Sequence, residues 1–356
     1  MRKESLEFLR QLLTTASPSG YESAIQKIWC DYVRPFADEV RTDAYGNAVA
    51  ILNPGGDPKL MLDGHCDELG LMIKHIDEKG FVYFQRIGGV DPALVRNKRV
   101  SIHTAKGVVR GVIGATAIHL TDKSKDQKPP KMHECWIDIG AKDGKDAKKK
   151  VAVGDPITFT DDFELIDEHV GVARAFDNRV GVWTAAEALR LAAAKKGELK
   201  CCLIAASSVQ EEVGLCGAQM QVEAVRPDAA IAVDVTHATD TPGIDAKEHG
   251  EIKMGQGPTV SIGRENHPLL VDRLRKVAKR KKIDVQIETF SLSGGTDAWA
   301  FFTRLGGTPA AIVGIPDRYM HSTVEMLDLR DLQHTAELLA AVALDIKKGE
   351  RFKVKV

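Results

Sequence analysis

The sequence predicts an α/β protein into which a small β-rich domain is inserted. Apolar runs of strand length alternate with amphipathic helical segments early in the chain and again after residue 162, a pattern typical of α/β sheets. Between residues 69 and 162, short β-like runs are separated by glycine-containing turns, which is typical of a small barrel or sandwich. We therefore expect a discontinuous α/β domain of residues 1–66 and 165–356, with a β domain of residues 69–162 inserted in it.

The first part of the α/β domain is predicted to contain helices followed by strands. Leucines at helical spacing indicate a helix that ends near Thr15, because a Ser-Pro-Ser-Gly break follows it. A second helix is predicted for residues 22–33, and two strands should follow it, joined by the Gly46-Asn47 turn. The apolar run 59–63 predicts a buried strand that delivers the polar segment Gly64-His65-Cys66-Asp67 to one end of the sheet.

The inserted domain is predicted from its short runs and turns. The β-like runs are residues 81–84, 100–103, 108–109, 136–139 and 156–160. Two lysine-rich stretches, 123–131 and 142–150, are interrupted by Pro129-Pro130 and by Gly144. We interpret both as solvated loops, because charge runs in a neutral protein usually lie on the surface.

Helices and strands alternate in the rest of the chain. Helical periodicity covers residues 177–194, 269–279 and 329–346, and strand-like apolar runs cover residues 201–206, 229–234 and 309–314. This alternation predicts an open α/β sheet.

Composition excludes several classes of protein. The 356 residues are 44% hydrophobic and 28% charged, and 49 basic against 50 acidic residues leave a net charge of −1. Such a chain is neither disordered nor attracted in bulk to nucleic acid or anionic lipid. It has no apolar stretch of the roughly 20 residues that span a bilayer, and its six cysteines form no C-x-x-C pair. We therefore expect a cytoplasmic protein with neither a nucleic acid nor a membrane as a partner.

Acidic and imidazole side chains follow several of the predicted strands. His65 and Asp67 follow the first apolar run, Glu211-Glu212 follow the strand near residues 201–209, and Asp234 closes its own strand. The carboxyl ends of strands in an open α/β sheet meet at one edge, so these groups should converge. Converging carboxylates repel each other unless a cation lies between them. The pattern therefore predicts divalent metal, with two ions where one carboxylate bridges them.

Each of these residues alone has a simpler explanation. Asp177 could cap the helix that it precedes, Glu211-Glu212 could be the acidic first turn of a helix, and His321 could be an ordinary loop histidine. Asp234 requires a partner for its charge because it closes an apolar strand. The metal interpretation depends on all of them coming together.

Seven motifs in order resemble the signatures of a known family. They are Gly64-His-Cys-Asp-Glu-Leu-Gly70, Ala175-Phe-Asp-Asn-Arg-Val-Gly181, Val209-Gln-Glu-Glu-Val-Gly214, Asp234-Val-Thr, Asp240-Thr-Pro-Gly243, Gly294-Gly-Thr-Asp297 and His321-Ser-Thr-Val-Glu325. From Ser17 to Leu329 the chain is similar to the tetrahedral, self-compartmentalising dinuclear-metal aminopeptidases. That family includes glutamyl, leucyl and deblocking aminopeptidases and some members labelled endoglucanases.

The resemblance implies a zinc-peptidase-like catalytic domain built on a mixed sheet, with two divalent metal ions. Zn or Co would be the metal, and Mn would be accepted by the same ligands. Asp177 would bridge the ions, with His65 and Asp234 completing one site and Glu212 and His321 completing the other.

The resemblance also implies roles around the metals. Glu211 would be the general base that activates a metal-bridging water, and Asp67 would orient His65. A cis peptide bond is implied between Asp177 and Asn178. The motif of Gly294, Gly295, Thr296 and Asp297 would line the substrate pocket, although these residues could equally form a tight capped turn. Cys66 is expected to pack rather than to bind metal, and His237 is the one further histidine that could face the cleft.

The activity implied is removal of N-terminal residues from short peptides. The family also implies dimers, formed through the inserted domain, that assemble into tetrahedral dodecamers. The main alternative is a related two-metal amidase or deacylase that acts on acylated amino acids or peptides. A glycan hydrolase would need two carboxylates and no metal, which leaves the histidines unexplained, and a non-catalytic peptide-binding scaffold leaves Glu211 unexplained.

Overall fold

A computed structural model describes residues 1–120, 131–292 and 295–356 of the chain. The α-helices in these ranges are α1 (Lys3–Thr14), α2 (Ser23–Val33), α3 (Gly144–Lys150), α4 (Phe176–Ala193), α5 (Cys216–Val225), α6 (Ala246–His249), α7 (Pro268–Lys281), α8 (Ala298–Phe302) and α9 (Leu329–Asp345). Short 3-10 turns cover Pro92–Leu94, Ile118–Leu120, Met132–Glu134 and Lys196–Glu198.

The strands fall into two groups. Those of the large sheet are β1 (Glu39–Thr42), β2 (Ala48–Leu52) and β3 (Lys59–His65), and the barrel follows with β4 (Gly70–Ile76), β5 (Val82–Ile87), β6 (Arg99–Thr104), β7 (Gly107–Ile113), β8 (Ile137–Asp138) and β9 (Pro156–Phe159). The large sheet then continues with β10 (Glu164–Leu165), β11 (Val170–Ala173), β12 (Cys202–Ser208), β13 (Ala229–His237), β14 (Thr259–Gly263), β15 (Gln286–Phe290), β16 (Ala310–Arg318) and β17 (Glu325–Asp328).

The large sheet is mixed, and its strand order is β1-β2-β12-β3-β13-β16-β17-β11-β10, with β14 and β15 branching from β16. Strands β12, β3, β13 and β16 run parallel to one another, whereas β1, β2, β17 and β11 join as antiparallel neighbours. This confirms the predicted mixed α/β sheet. The four parallel strands therefore end at the same edge.

Both faces of the sheet are covered by helices. The larger core packs the sheet against α1, α2, α4, α7 and α9, and the smaller core packs its other face against α5 and α8. Helix α4 is buried on almost every side, with Trp183 and Phe176 among the largest fully buried side chains. Burial of α4 places the start of this helix deep in the molecule.

The six strands β4 to β9 form a closed antiparallel barrel in the order β4-β5-β8-β7-β6-β9, with its own apolar core. Closure leaves no free sheet edge. The sequence allowed either a barrel or a sandwich, and the structure shows the barrel. The division of the chain into two domains at the predicted boundaries stays a prediction.

The interpretation of residues 142–150 as a solvated loop was wrong, because they contain α3. The Asp143 carboxylate accepts a hydrogen bond from the amide of Asp146 at 2.8 Å and caps the helix. Its last turn carries three lysines, where the helix dipole favours cations. Gly144 is not a break: a β-carbon there would lie 2.3 Å from the Asp77 carbonyl oxygen, so glycine permits close packing.

The other lysine-rich stretch, 123–131, lies outside the described residues except for Lys131. In the described part of the chain, no helix combines the length and the apolar character that crossing a membrane requires.

Candidate metal centre

Side chains from four separated segments meet at the edge where the parallel strands end. His65 is the last residue of β3, and Glu211 and Glu212 follow β12. Asp234 does not close its strand as predicted, because β13 continues to His237. His321 lies in the loop after β16. The structure thus brings together His65, the two glutamates and Asp234, which the sequence placed at strand ends, as expected for an open α/β sheet. It also brings His321 to them, a residue that the sequence pattern alone left as a possible loop histidine.

His65 lies at the centre of the cluster and is almost completely buried. Its Nε2 atom is 3.2 Å from Asp177 Oδ1, 3.7 Å from Glu211 Oε2 and 4.0 Å from Asp234 Oδ1. Its Nδ1 atom is 3.3 Å from Asp67 Oδ1. One ring nitrogen therefore faces three carboxylates, and the other faces the carboxylate predicted to orient the ring.

Asp177 reaches the cluster from the start of α4. Two glycines let this helix approach the sheet, because a β-carbon on Gly64 would lie 2.5 Å from the Gly181 carbonyl carbon, and one on Gly181 would lie 2.4 Å from the Val233 carbonyl oxygen. Asn178 secures the contact by donating to the Val233 carbonyl at 2.8 Å. The Asp177–Asn178 peptide bond is cis, which confirms the expectation.

His321 faces Asp177 from the side opposite His65. Its Nε2 atom is 3.2 Å from Asp177 Oδ2 and 3.8 Å from Glu212 Oε2. The two oxygens of Asp177 therefore point at two different histidines. This is the arrangement that a carboxylate bridging two ions requires.

Glu325, the first residue of β17, ties these two segments together. One of its carboxylate oxygens accepts the amide of His321 at 3.0 Å, and the other accepts the amide of Asp177 at 3.1 Å. His321 has a backbone φ of +61°, which is disfavoured for a residue with a side chain, so this hydrogen bond helps to hold it. Glu325 closes the motif His321-Ser-Thr-Val-Glu325, but no local pattern in the sequence indicates this role.

Asp67 has more contacts than the sequence indicated. Its carboxylate accepts the amides of Glu211 and Glu212 at 3.0 and 3.1 Å and the hydroxyl of Ser19 at 2.7 Å. It therefore fixes the backbone of the adjacent glutamates, and it lies beside the His65 ring, 3.3 Å from Nδ1. Ser19 is a further residue of the site that sequence reasoning missed.

Burial dominates the electrostatics of the cluster. Burial, together with the nearby Asp177 carboxylate, raises the pKa of Glu211 to about 7 and the pKa values of Glu212 and Asp234 well above the ordinary range. Burial also opposes ionisation of Asp177, but hydrogen bonds with His321 and His65 outweigh it and lower the pKa of Asp177. The site concentrates carboxylates with too few cationic side chains to balance them.

The donor set fits divalent metal ions. Ligand atoms of His65, Glu211 and Asp234 lie within 4.8 Å of one another, and so do those of His65, Asp177 and Glu212. Glu212 Oε1 is buried and has no hydrogen-bond partner among the described residues, so a cation would satisfy it. Imidazole and carboxylate ligands suit Zn, Co and Mn alike. Glu211 lies within ligand distance too, so these distances do not separate a ligand glutamate from a base.

A cleft with a volume of about 670 Å³ opens onto the cluster. Gly295 and Thr296 line it, and so does His237, the histidine that the sequence left open. Asp297 is only 2% exposed, and burial beside Asp63 raises its pKa. Gly294 lies outside the described residues. Cys66 is fully buried in the larger core, as expected for a packing residue.

Comparison with known proteins identifies the family. Residues 46–338 match the family described as M42 glutamyl aminopeptidase. The chain belongs to the M42 peptidase family. This M42 aminopeptidase is 33% identical over 346 residues to the lysyl aminopeptidase of Pyrococcus furiosus, a match that covers 96% of this chain and 97% of the relative.

Solved structures agree with the M42 assignment over the whole fold. The TET aminopeptidase from the marine sediment archaeon Thaumarchaeota archaeon SCGC AB-539-E09 superposes with a TM-score of 0.91 at 32% identity, covering 96% of each chain. The Pyrococcus horikoshii TET1 peptidase, described as able to assemble into a tetrahedron or a large octahedral shell, has a TM-score of 0.86 at 31% identity, covering 96% of this chain and 100% of its own.

Proposed function

We propose that this M42 aminopeptidase depends on two divalent metal ions and hydrolyses the N-terminal peptide bond of short peptides. The observation that carries the proposal is the position of Asp177 between two histidines, with one carboxylate oxygen 3.2 Å from each imidazole. His65 and Asp234 would hold one ion, and Glu212 and His321 would hold the other. Zn or Co is the proposed metal, with Mn as a further candidate.

The chain's own residues would then divide the remaining work. The bound ions would supply Lewis acidity, lowering the pKa of a water molecule and polarising the scissile carbonyl. Glu211 would take a proton at its carboxylate and pass it to the leaving amine. Asp67 would keep the His65 ring oriented and the Glu211 backbone in place through the contacts described above.

The cleft supports a short peptide as substrate. Its volume of about 670 Å³ accommodates a few residues at a time, and Gly295 and Thr296 line it next to the cluster. We propose that these two residues contact the substrate, together with Gly294 and with Asp297 acting from its buried position. One relative is named for lysyl and the matched family for glutamyl activity, so the preferred first residue is the property to measure first.

Metal removal tests the activity. Chelation should abolish hydrolysis of unblocked aminoacyl-anilides and short peptides, and Zn, Co or Mn added back singly should restore it, because the proposed reaction requires bound divalent ions. The control uses the same peptides with an acylated N-terminus, which should resist cleavage. Cleavage of the acylated series alone would instead establish the amidase or deacylase.

We further propose that the protein self-associates through the barrel into dimers and then into a tetrahedral dodecamer in the cytoplasm. Strand β7 presents Val108 and Val112 to solvent, 54% and 47% exposed, and the P. horikoshii TET1 peptidase can assemble into a tetrahedron or a large octahedral shell. Contiguous exposed apolar side chains mark contact surfaces, and we propose that these two valines contribute to one.

Light scattering should therefore give the mass of twelve chains. Val108→Lys with Val112→Lys should lower that mass to smaller oligomers, whereas a lysine at the exposed Val153, elsewhere on the barrel side of the molecule, should not. A wild-type monomer that persists at micromolar concentration would rule the assembly out.

A further inference from the structure

A glycine turn of the barrel packs directly against the candidate metal centre. Gly88 and Gly89 follow β5, and a β-carbon built on Gly89 would lie 3.2 Å from Nδ1 and 3.4 Å from Cε1 of the His321 ring. A β-carbon on Gly88 would lie 3.3 Å from the β-carbon of Glu212. The turn therefore touches His321 and Glu212, the two residues assigned to the same ion.

The two glycines are present for different reasons. Gly88 has a φ of +72°, a conformation that side chains rarely adopt, so its backbone alone accounts for glycine. The φ of Gly89 lies outside that region, so the strain that requires glycine at position 88 does not apply to it. Gly89 instead leaves room for the His321 ring. A methyl group at position 89 would force that ring to move by a few tenths of an ångström.

A second barrel residue contacts the loop that carries His321. Lys98, just before β6, donates hydrogen bonds to the hydroxyl of Thr323 and, at 3.1 Å, to Asp161 Oδ1. Thr323 is buried, while the His321 side chain remains 44% exposed on the cleft side. Two hydrogen bonds therefore hold the loop: one from Lys98 of the barrel to Thr323, and one from the His321 amide to Glu325.

Barrel and loop also enclose a common space. Val90 and Leu94, which come from the barrel side, line a cavity of about 30 Å³ together with His321, Thr323 and Glu325. A cavity of this size holds about one water molecule. The barrel and the loop therefore border a common small pocket beside the site.

We propose that the inserted barrel is a positioning element of the metal centre: Gly89 leaves the space that sets the His321 ring, and Lys98 anchors the loop that carries it. This inference rests on the proposed function, in which His321 is a metal ligand. It gives the barrel a role within each subunit, separate from any contact between subunits.

The test is Gly89→Ala in the full-length protein, with Co²⁺ binding measured by calorimetric titration and by the visible spectrum of the bound ion. Displacement of the ring should lower the affinity for the ion on the His321 side by about 10-fold, as is typical when a group that orients a ligand is changed. The ion on the His65 side should bind as in the wild type. The visible spectrum of the Co²⁺ bound on the His321 side should also change.

Gly114→Ala is the matched control in the same barrel. Among the described residues, a β-carbon at Gly114 meets only Trp136 Nε1, at an ordinary 3.7 Å, so Co²⁺ binding should not change. Lys98→Met is a second variant that adds no volume beside the ring. It removes the hydrogen bond to Thr323 and should lower the affinity for the same ion.

The outcomes separate this inference from the proposed function. Wild-type binding of both ions by Gly89→Ala and by Lys98→Met would overturn the role of the barrel, while loss of one ion from His321→Ala would leave the function intact. Retention of both ions by His321→Ala would overturn the ligand assignment and this inference with it.

Discussion

Replacing Glu211 by glutamine should leave both metal ions bound and lower kcat by about 10²- to 10⁴-fold, the usual contribution of a general base. Glutamine has the same shape, and the Glu211 amide that Asp67 accepts at 3.0 Å is a backbone group that the substitution keeps. The loop should therefore stay in place while the proton acceptor is lost. Metal content by mass spectrometry and kcat at saturating metal measure the two effects separately.

Glu212→Gln is the matched control, because the two glutamates are adjacent and Asp67 holds both of their amides. In the proposed assignment Glu212 is a ligand, so this variant should lose affinity for one ion, and excess metal should recover part of its activity. Excess metal should not recover Glu211→Gln. Metal loss from Glu211→Gln equal to that from Glu212→Gln would mean that Glu211 is itself a ligand, which its 3.7 Å distance to His65 would allow.

Replacing His321 by alanine should release one of the two ions and reduce turnover to a residual level. His321 Nε2 lies 3.2 Å from one oxygen of Asp177, and His65 Nε2 lies 3.2 Å from the other, so each histidine should serve a different ion. The ring is partly exposed, and its loss should cost little folding stability. Metal stoichiometry after dialysis, together with the thermal unfolding midpoint, provides the measurement.

His237→Ala is the control for metal content. His237 lines the same cleft and is exposed, but the proposed ligand set does not include it, so this variant should retain both ions. His65→Ala should lose the other ion, and its effect should be larger because His65 is buried and contacts Asp177, Glu211 and Asp234. Retention of both ions by His321→Ala would remove His321 from the ligand set.

Local sequence patterns correctly predicted the helices and strands whose signal lies within a single segment of the chain. The predicted helix 269–279 corresponds to α7, and the apolar run 229–234 corresponds to the first part of β13, because a period of 3.6 or a continuous apolar run shows in a few neighbouring residues. The same approach gave a wrong prediction for residues 142–150. Their lysines resembled a solvated loop, and the capping carboxylate of Asp143 and the packing of Gly144 against Asp77 decided for a helix.

The sequence by itself determined the α/β class, the β-rich insertion and the strand-end positions of His65, the two glutamates and Asp234, since each of these depends on local periodicity or on residue type at a strand end. The mixed sheet and the places of Asp177 and His321 in the cluster were expected only from the family resemblance of the ordered motifs. Only the tertiary structure decided that the two oxygens of Asp177 face different histidines, that Glu325 accepts the amides of both His321 and Asp177, and that Gly89 lies against the His321 ring. The physical reason is distance along the chain. Asp177 and Glu325 are 148 positions apart, and a hydrogen bond or a close approach across such a separation leaves no periodic trace in the sequence.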